Sequence, residues 1–217
     1  MKRIIALYIL LFLSSALMAQ VAAIKIDDSK LNKPVMATLE AIYKNDQTNR
    51  QKLQELSKSG ANTDELWNTI RNTDDENIVK VTQILDKYGW LGVPDVGVTG
   101  SQALFLVIQK ADLDTQEKYL PLIENSVKEG KTSPVDLAIM KDKMAMRNGE
   151  NQIYGSQVVN NRASGKIYIY PVIDPDHLDE RRKAMGLQPM IEYCKNYNIK
   201  WDLEAYKKAQ EEDPDSL

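Results

Sequence analysis

The chain has 217 residues, a formal net charge of -3, one cysteine and one histidine. One cysteine excludes an internal disulfide, and one cysteine with one histidine cannot supply the paired ligands of a usual zinc site. Acidic and basic residues are mixed without a basic block, which argues against nucleic acid and anionic membrane surfaces as partners. We expect no metal site and no other cofactor.

The N-terminus predicts a signal peptide. Lys2 and Arg3 precede an apolar run, and residues 1–19 have the pattern of a cleaved secretory signal. A membrane anchor is the alternative, but the run is shorter than the roughly 20 residues of a spanning helix. The only cysteine, Cys194, lies far from the cleavage point, so a lipoprotein is not expected. Cleavage would leave a periplasmic or secreted protein with net charge -5 and no membrane span.

The first part of the mature chain is predicted to be helical. After a polar lead-in at residues 20–33, apolar residues recur at helical intervals from Pro34 until Gly60. Asn62 and Thr73 are each followed three residues later by a glutamate. These two capping boxes predict two separate helices.

A glycine-rich segment follows. Four of the ten glycines lie within residues 89–100, which predicts a loop. Its backbone amides could hold an anion, or its glycines could serve only close packing. The apolar run 103–108 is interpreted as a buried core helix capped by Ser101. Asp114 and Ser133 are the predicted starts of two further helices.

Glutamines and tyrosines mark the one predicted strand pair. Segments 151–157 and 166–171 are separated by a short loop and are predicted to form a β-hairpin. One register places Gln157 opposite Tyr168, and a slip by one residue is the alternative. A purely structural strand would have valine or leucine at these positions. Glutamine and tyrosine instead suit hydrogen bonding and stacking, so this surface is a candidate site.

The C-terminal part is predicted to be helical again. An Asp-Pro pair at 174–175 begins a short basic helix that ends at Gly186, and a last helix begins near Glu192. No repeat or linker interrupts the chain, so one domain is predicted over residues 34–210, with a frayed tail at 211–217. The predicted fold class is α+β, a mostly helical domain with one β-hairpin near its C-terminal third.

Polar residues interrupt the apolar stripe of the first helix. The stripe passes through Asp46 and has Gln47 and Arg50 beside it. Burying such groups is costly unless they are paired. Either the helix leaves the core here and the stretch faces solvent, or these residues enter a polar pocket. Both readings stay open.

Other polar positions could line the same pocket. Some lean inward from helices, some lie in the predicted hairpin, and two arginines could hold a carboxylate or phosphate with their planar forks. These candidates are Asn77, Gln109, Asp142, Gln152, Tyr154, Gln157, Arg181 and Arg182. The alternative is a set of caps and solvated ion pairs. His177 is predicted to be a surface residue near a helix N-terminus, where the dipole disfavours a proton on its ring.

The spacing of these residues resembles a known family. The similar motifs are Asp46-Gln47 with Arg50, Gln109-Lys110-Ala111-Asp112, Asp142-Lys143, Gln152-Ile153-Tyr154-Gly155-Ser156-Gln157 and Asp179-Glu180-Arg181-Arg182. They resemble an uncharacterised bacterial family, the domain of unknown function numbered sixty-six twenty-four, from about Asp46 to Tyr193. The resemblance implies that the scattered positions form one pattern, and it adds Lys110 to the candidates. The family pattern has histidine at position 110 and arginine at 143, so a catalytic histidine there would be missing.

Three functions are compatible with these patterns. The first is binding of a small polar ligand or a cell-envelope partner in a polar pocket next to the hairpin. The second is a hydrolase or transferase with Asp46 or Asp142 as general acid or base, Tyr154 as a donor and an arginine clamp. The third is a structural or assembly role. Lys110 in place of histidine favours the first.

Overall fold

A computed structural model describes residues 5–6, 24, 26–161 and 165–212. Apart from Ile5–Ala6, the predicted signal peptide lies outside the described residues. The described chain forms two compact units. Residues 24–132 form the helical unit, and residues 133–212 with Ile5–Ala6 form the mixed unit. The prediction of one domain over residues 34–210 stays a prediction.

The helical unit consists of four helices. They are α1 (Lys33–Ser59), α2 (Asp64–Tyr88), α3 (Val93–Lys110) and α4 (Leu113–Lys128). Helix α3 packs against each of the other three, and α1 also packs against α2. The core of the helical unit consists of apolar side chains that are almost fully buried, among them Leu39, Val81, Leu85, Leu104, Ile108 and Ile123. Their burial is the main source of the unit's stability.

Helix α2 is continuous where two helices were predicted. The helix begins at Asp64, close to the first predicted start, but its N-cap is Thr63 and no side chain caps it. Asn62 accepts a hydrogen bond from the Asp64 amide at 2.7 Å just before the helix. Thr73 instead donates its hydroxyl to the Thr69 carbonyl at 2.8 Å, one turn earlier in the same helix. A threonine can form this bond inside a helix as well as cap one. The second capping box therefore does not start a helix.

The glycine-rich segment is mostly helix, so the predicted loop over 89–100 is wrong. Helix α3 begins at Val93 because Asp95 accepts the Gly92 amide at 2.9 Å. Only Gly97 breaks the helical geometry, with φ 71° and ψ 173°. Gly92 is required for close packing, since a Cβ there would lie 2.4 Å from the Lys131 carbonyl oxygen.

The mixed unit combines short helices with a small sheet. Its helices are α5 (Pro134–Arg147), α6 (Leu178–Ala184), α7 (Met190–Lys195) and α8 (Leu203–Glu212), with a 3₁₀ turn at Pro175–His177 before α6. Its strands are β1 (Ile5–Ala6), β2 (Val158–Asn161) and β3 (Lys166–Ile169). Ser133 caps α5 as predicted and accepts the Val135 amide.

The C-terminal segment, predicted as one helix from about Glu192, forms the two helices α7 and α8. Helix α8 continues through residues 211–212, which were predicted to belong to the frayed tail.

The sheet order is β1-β2-β3, and all pairs are antiparallel. Val158 pairs with Ile169 and Asn161 pairs with Lys166. Both predicted registers are wrong, and the pairing that placed Gln157 opposite Tyr168 is off by two residues. A shift of two keeps each side chain on its expected face. The α+β class with one hairpin near the C-terminal third is confirmed.

The predicted strand 151–157 is a loop in the structure. Only Gln152 forms an isolated bridge, to Val172. Backbone hydrogen bonds to residues 170–173 are made only by Gln152 and Gln157 at the two ends of the segment. The strand prediction failed because side chains bind the backbone of the residues between them.

The mixed unit has its own apolar core, to which partly buried tyrosines, Ile199 and Trp201 are added. Its buried members are Val158, Ile169, Val172, Leu178, Met190, Cys194 and Tyr206. Trp201 and Tyr206 lie with ring centroids 4.9 Å apart. Among the described residues, no helix is both long and apolar enough to cross a membrane.

Candidate functional site

The twelve predicted site residues fall into two sets. Six lie in the helical unit, namely Asp46, Gln47, Arg50, Asn77, Gln109 and Lys110. Six lie in the mixed unit, namely Asp142, Gln152, Tyr154, Gln157, Arg181 and Arg182. Each set is organised around one carboxylate, and the meeting of the two sets in one pocket stays a prediction.

In the helical unit, the centre is the carboxylate of Asp46. The Lys110 ammonium at the end of α3 contacts Asp46 and also lies 2.8 Å from Asp74 Oδ1. Arg50, one turn further along α1, places Nε 3.0 Å from Asp46 Oδ2, and Gln47 donates to the same oxygen at 3.1 Å. We call these five residues the Asp46 cluster.

The Asp46 cluster is largely withdrawn from solvent. The side chains of Asp46 and Lys110 are 8% and 7% exposed. Asp46 is therefore buried, and the reading in which the helix leaves the core at this residue is wrong. Two carboxylates and two cations neutralise one another, which makes the burial tolerable. Buried charges that are paired in this way fit a structural role for the Asp46 cluster.

Ionisation of Asp46 follows from its partners. Burial alone would raise the pKa of Asp46, but the charges and hydrogen bonds of Lys110 and Arg50 together hold that pKa below its ordinary value. The carboxylate is consequently ionised at neutral pH. An ionised group with two cations against it is a poor proton donor and a weak base.

The other predicted residues of this unit flank the Asp46 cluster. Asn77 is buried on α2, three residues after Asp74. Gln109 contributes its backbone carbonyl, which accepts a hydrogen bond from the Gln116 side chain at 2.7 Å. Asp74 itself was not among the predicted residues. Its position one turn before Asn77, on the same helix face, is the signal that could have identified it.

In the mixed unit, the centre is Asp142 on α5. Its side chain has no solvent exposure. Oδ1 accepts the backbone amides of Ile153 at 2.7 Å and Tyr154 at 2.9 Å, and Oδ2 accepts the Ser156 amide at 2.8 Å. We call residues 152–157 the Tyr154 loop. Asp142 holds this loop through its N–H groups.

The carbonyls of the Tyr154 loop are bound from the other side. Arg181 Nε donates to the Ile153 carbonyl at 2.9 Å. Arg182 Nη1 donates to the carbonyls of Tyr154 and Gly155 at 2.6 and 3.2 Å. The two arginines therefore clamp the chain's own backbone. The sequence pattern had suggested this fork geometry for a ligand.

The glutamines close the Tyr154 loop on itself. Gln152 accepts the Gln157 amide at 2.8 Å through Oε1 and donates to the Gln157 carbonyl at 3.1 Å through Nε2. The same Nε2 donates to the Tyr170 carbonyl at 2.6 Å, which joins the loop to the hairpin. Tyr193, a residue that the sequence did not indicate, donates its hydroxyl to the Ser156 carbonyl at 2.7 Å.

Burial shifts both charged anchors of the loop. Burial raises the pKa of the Asp142 carboxyl, while the amides of Ser156 and Tyr154 oppose that rise. Burial also lowers the pKa of Arg182, whose guanidinium has no solvent exposure and lies 4.7 Å from the Tyr193 ring centroid. Both groups are costly to bury, and their hydrogen bonds to the loop backbone offset that cost.

Two features of the Tyr154 loop lie outside this hydrogen-bond network. The Tyr154 side chain is half-buried and has no hydrogen-bond partner among the described residues. Gly155 adopts φ +67°, a conformation that disfavours a side chain, and a Cβ there would lie 3.3 Å from Met190 Sδ. The glycine thus lets the loop turn closely over the core of the mixed unit.

His177 is exposed as predicted, but the predicted effect on its pKa is not found. Its Nδ1 lies 3.0 Å from both carboxylate oxygens of Asp174. The hydrogen bond and charge of Asp174 raise the pKa of His177, so the predicted lowering by the helix dipole is wrong. Asp174 has φ 44° and does not cap the following helix with its side chain. The pair is exposed and local, three residues apart.

Comparison with known proteins gives one match. No curated protein and no solved structure shows significant similarity to this chain. A family model of unknown function matches residues 35–205, a range that contains every residue of both candidate sets. The resemblance seen in the sequence motifs is thereby confirmed. The chain belongs to the family of unknown function DUF6624.

Proposed function

We propose that the protein is exported and that it binds a small polar ligand or a cell-envelope partner at the Tyr154 loop, beside the hairpin. The observation that carries this proposal is the fixed backbone of the loop. Buried or partly buried side chains bind every carbonyl from Ile153 to Gln157 and the amides of residues 153, 154, 156 and 157.

Such a loop is more elaborate than a connection needs to be. An ordinary turn closes with backbone hydrogen bonds and exposed polar residues. Here Asp142 and Arg182 are both fully buried to hold a few peptide groups. Arg182 Nη2 is buried without a hydrogen-bond partner among the described residues, but the other polar atoms of Asp142 and Arg182 are bonded to the loop and its neighbours. Such bonds hold the loop in one conformation. A rigid loop loses little conformational entropy when a partner binds, which favours a role in recognition.

Tyr154 is the side chain that this rigid backbone presents. A tyrosine offers a flat apolar ring and a hydroxyl that can donate and accept, and it has few rotatable bonds. Its hydroxyl is not used by another described residue. These properties suit contact with a polar ligand or with a partner surface.

Binding is better supported than acid-base catalysis. The catalytic alternative uses Asp46 or Asp142, with an arginine clamp on the substrate. Both oxygens of Asp142 accept backbone amides, the cations hold Asp46, and the arginines bind loop carbonyls. Each group named for catalysis thus has a structural partner.

The test compares Tyr154→Ala with wild type in a thermal-shift screen. The probes are soluble cell-wall fragments, short neutral peptides and oligosaccharides, because a ligand that binds only the folded state raises the melting temperature. We expect one probe class to stabilise the wild type and to lose its effect on Tyr154→Ala. The control is Tyr88→Ala, which removes an exposed tyrosine from the helical unit.

Two outcomes would contradict the proposal. A probe that stabilises wild type and Tyr154→Ala equally would place binding elsewhere, and no shift with any class would favour an assembly role. Export is tested separately by mass spectrometry of the protein recovered from the cell envelope and medium of the producing bacterium. The expected mature chain begins at Gln20, and an intact Met1 there would contradict cleavage.

A further inference from the structure

Strand β2 lies between two neighbours in the sheet of the mixed unit. Strand β3 pairs with one edge of β2, and β1 pairs with the other. On that second edge, which we call the outer edge of β2, Ile5 lies opposite Asn160 and Ala6 lies opposite Val159. Strand β1 belongs to the predicted signal peptide. Cleavage of that peptide would therefore leave the outer edge without the strand that now pairs with it.

The backbone groups of Val158 and Asn160 point to the outer edge. In an antiparallel ladder, every second residue of a strand directs its N–H and C=O to the same neighbouring strand. Gln157 directly precedes β2, and its carbonyl accepts the Tyr170 amide at 3.1 Å from the β3 side. The backbone groups of residues 157, 159 and 161 therefore face β3. Those of Val158 and Asn160 face away from β3, toward β1.

The outer edge lacks the features that usually prevent pairing with another chain. Native edge strands are commonly protected by proline or by charged side chains, and β2 (Val158–Asn161) contains neither. Val158 and Val159 are both buried, although adjacent residues of a strand point to opposite faces. A segment added at this edge therefore lies beside a buried valine on each face of the sheet, which favours a segment with apolar side chains.

We propose that the mature protein binds an extended apolar segment of a cell-envelope protein by strand addition at the outer edge of β2. The inference rests on the signal-peptide cleavage in the proposed function. The register of β1 gives the geometry, in which the segment runs antiparallel to β2 and the residue opposite Asn160 exchanges hydrogen bonds with its backbone. Main-chain bonds provide the affinity, and the flanking side chains provide the selectivity.

A second copy of this chain fits the outer edge less well than an apolar partner segment. Two of the four residues of β2 are asparagines, so pairing of two β2 edges would place polar side chains beside the buried valines. The segment that pairs there in the full chain comes from an apolar run. The partner is therefore expected to supply consecutive apolar residues in extended conformation.

The first test is a fluorescence anisotropy titration with a labelled synthetic peptide of residues 2–9, in which Lys2 and Arg3 provide solubility. We expect saturable binding to the mature protein of residues 20–217, whose folding is checked by circular dichroism. The full chain should bind the peptide at least about tenfold more weakly, because its own tethered strand competes for the same edge. A peptide with serine in place of Ile4, Ile5 and Leu7 should also bind at least about tenfold more weakly.

Two N-methylated peptides form a matched pair. The residue opposite Asn160 uses its N–H in the ladder, so N-methylation at Ile5 should weaken binding at least about tenfold. Ala6 lies opposite Val159, whose backbone groups face β3. The N–H of Ala6 therefore points away from β2, and N-methylation there should leave binding within about twofold of the unmodified peptide.

Variants of the protein give a second matched pair. Asn160→Pro removes the N–H that faces the outer edge, and it should weaken binding of the unmodified peptide at least about tenfold. A proline is tolerated there because that N–H is not used in pairing with β3. Asn160→Ala keeps the backbone donor and should bind like wild type. Circular dichroism of both variants checks that each one is folded.

Three results would overturn this inference. The first is absence of saturable binding of the unmodified peptide to the mature protein up to about 1 mM. The second is an equal loss of affinity on N-methylation at Ile5 and at Ala6. The third is a mature protein that is dimeric in analytical ultracentrifugation and does not bind the peptide, which would assign the outer edge to a second copy.

The same measurements separate this inference from the proposed function. Tyr154→Ala leaves the outer edge unchanged, so it should bind the peptide like wild type. An intact Met1 in the exported protein would contradict the cleavage on which the proposed function depends. Absence of peptide binding to the mature protein would contradict strand addition alone.

Discussion

Ser156 donates its backbone N–H to Oδ2 of Asp142 at 2.8 Å, which ties the far side of the Tyr154 loop to the interior of α5. The other oxygen of the same carboxylate holds the near side of the loop through two further amides. One buried side chain therefore determines the spacing of three peptide groups. The shape of the loop depends on the charge and symmetry of that carboxylate.

Asp142→Asn should lower the free energy of unfolding by roughly 2–4 kcal/mol. An asparagine has one acceptor oxygen, and its NH₂ group would face backbone donors that the carboxylate now binds. Urea denaturation followed by circular dichroism measures the change. The control, Asp75→Asn, alters an exposed residue of α2 and should change stability by less than about 0.5 kcal/mol. Equal effects of the two substitutions would show that Asp142 does not hold the loop.

Gly155→Ala should destabilise the protein more than Gly165→Ala does. Both glycines have a positive φ, of +67° and +70°, so both substitutions carry a similar backbone strain of roughly 1–2 kcal/mol. Only at Gly155 would the new Cβ also meet neighbours, with Met190 Sδ at 3.3 Å and Leu178 Cδ2 at 3.4 Å. An additional loss of about 1 kcal/mol is expected in urea denaturation. A larger loss at Gly165 would contradict the close packing of the loop.

Lys110→His should make the stability of the protein depend on pH. The neighbouring carboxylates of Asp46 and Asp74 would raise the folded-state pKa of this histidine above its unfolded value of about 6.5. Its stabilising contribution would be present below about pH 6.5 and lost as pH rises through the folded-state pKa.

Chemical denaturation between pH 5 and pH 9 measures this dependence for Lys110→His, and Lys110→Met is the matched control. Methionine carries no charge, so the free energy of unfolding of Lys110→Met should be lower than that of wild type by roughly 3 kcal/mol or more at every pH in that range. A loss of this size is expected when one partner of a buried ion pair is removed. A histidine variant with the same flat profile as the methionine variant would show that the Asp46 cluster does not act through its charge.

Asp136→Asn should stabilise the protein at pH 8 and have little effect near pH 4. Burial raises the pKa of Asp136, in the first turn of α5, from 3.8 to about 7. Between these values the folded state binds more protons than the unfolded state, so stability falls as pH rises through this window. Removing the carboxylate should raise the free energy of unfolding by at least about 1 kcal/mol at pH 8.

The measurement for Asp136→Asn is the free energy of unfolding across that pH range. The wild type should show a decline that the variant lacks. Asp114→Asn, an exposed carboxylate near the start of α4, serves as the control and should keep the decline of the wild type. A wild-type decline that persists in Asp136→Asn would assign it to another group.

Local signals predicted several features of this chain correctly. The Ser133-Pro134 pair starts α5 because a hydroxyl cap and a proline at the first helical position act over a few residues. Gly60 ends α1 in a left-handed backbone conformation, which glycine adopts without steric cost. Both signals depend on residues within one or two turns. The apolar stripe of α1 left two readings open for Asp46, and its burial in the structure decides for the inward one.

Local patterns in the sequence were enough to predict the α+β class, the family and most of the helices, although they gave a loop at 89–100 and an extra helix start at Thr73. The role of each polar residue depends on its partners in the tertiary structure. Arg182 and Asp142 bind the loop backbone, and Lys110 joins two other helices, because each partner lies 11 to 64 positions away along the chain. Local pattern cannot predict such pairings, since a polar residue on a helix face satisfies the same spacing whether it meets solvent or a distant peptide group. The free-energy cost of burying a polar side chain depends on whether the folded chain provides it with a hydrogen-bond or charge partner.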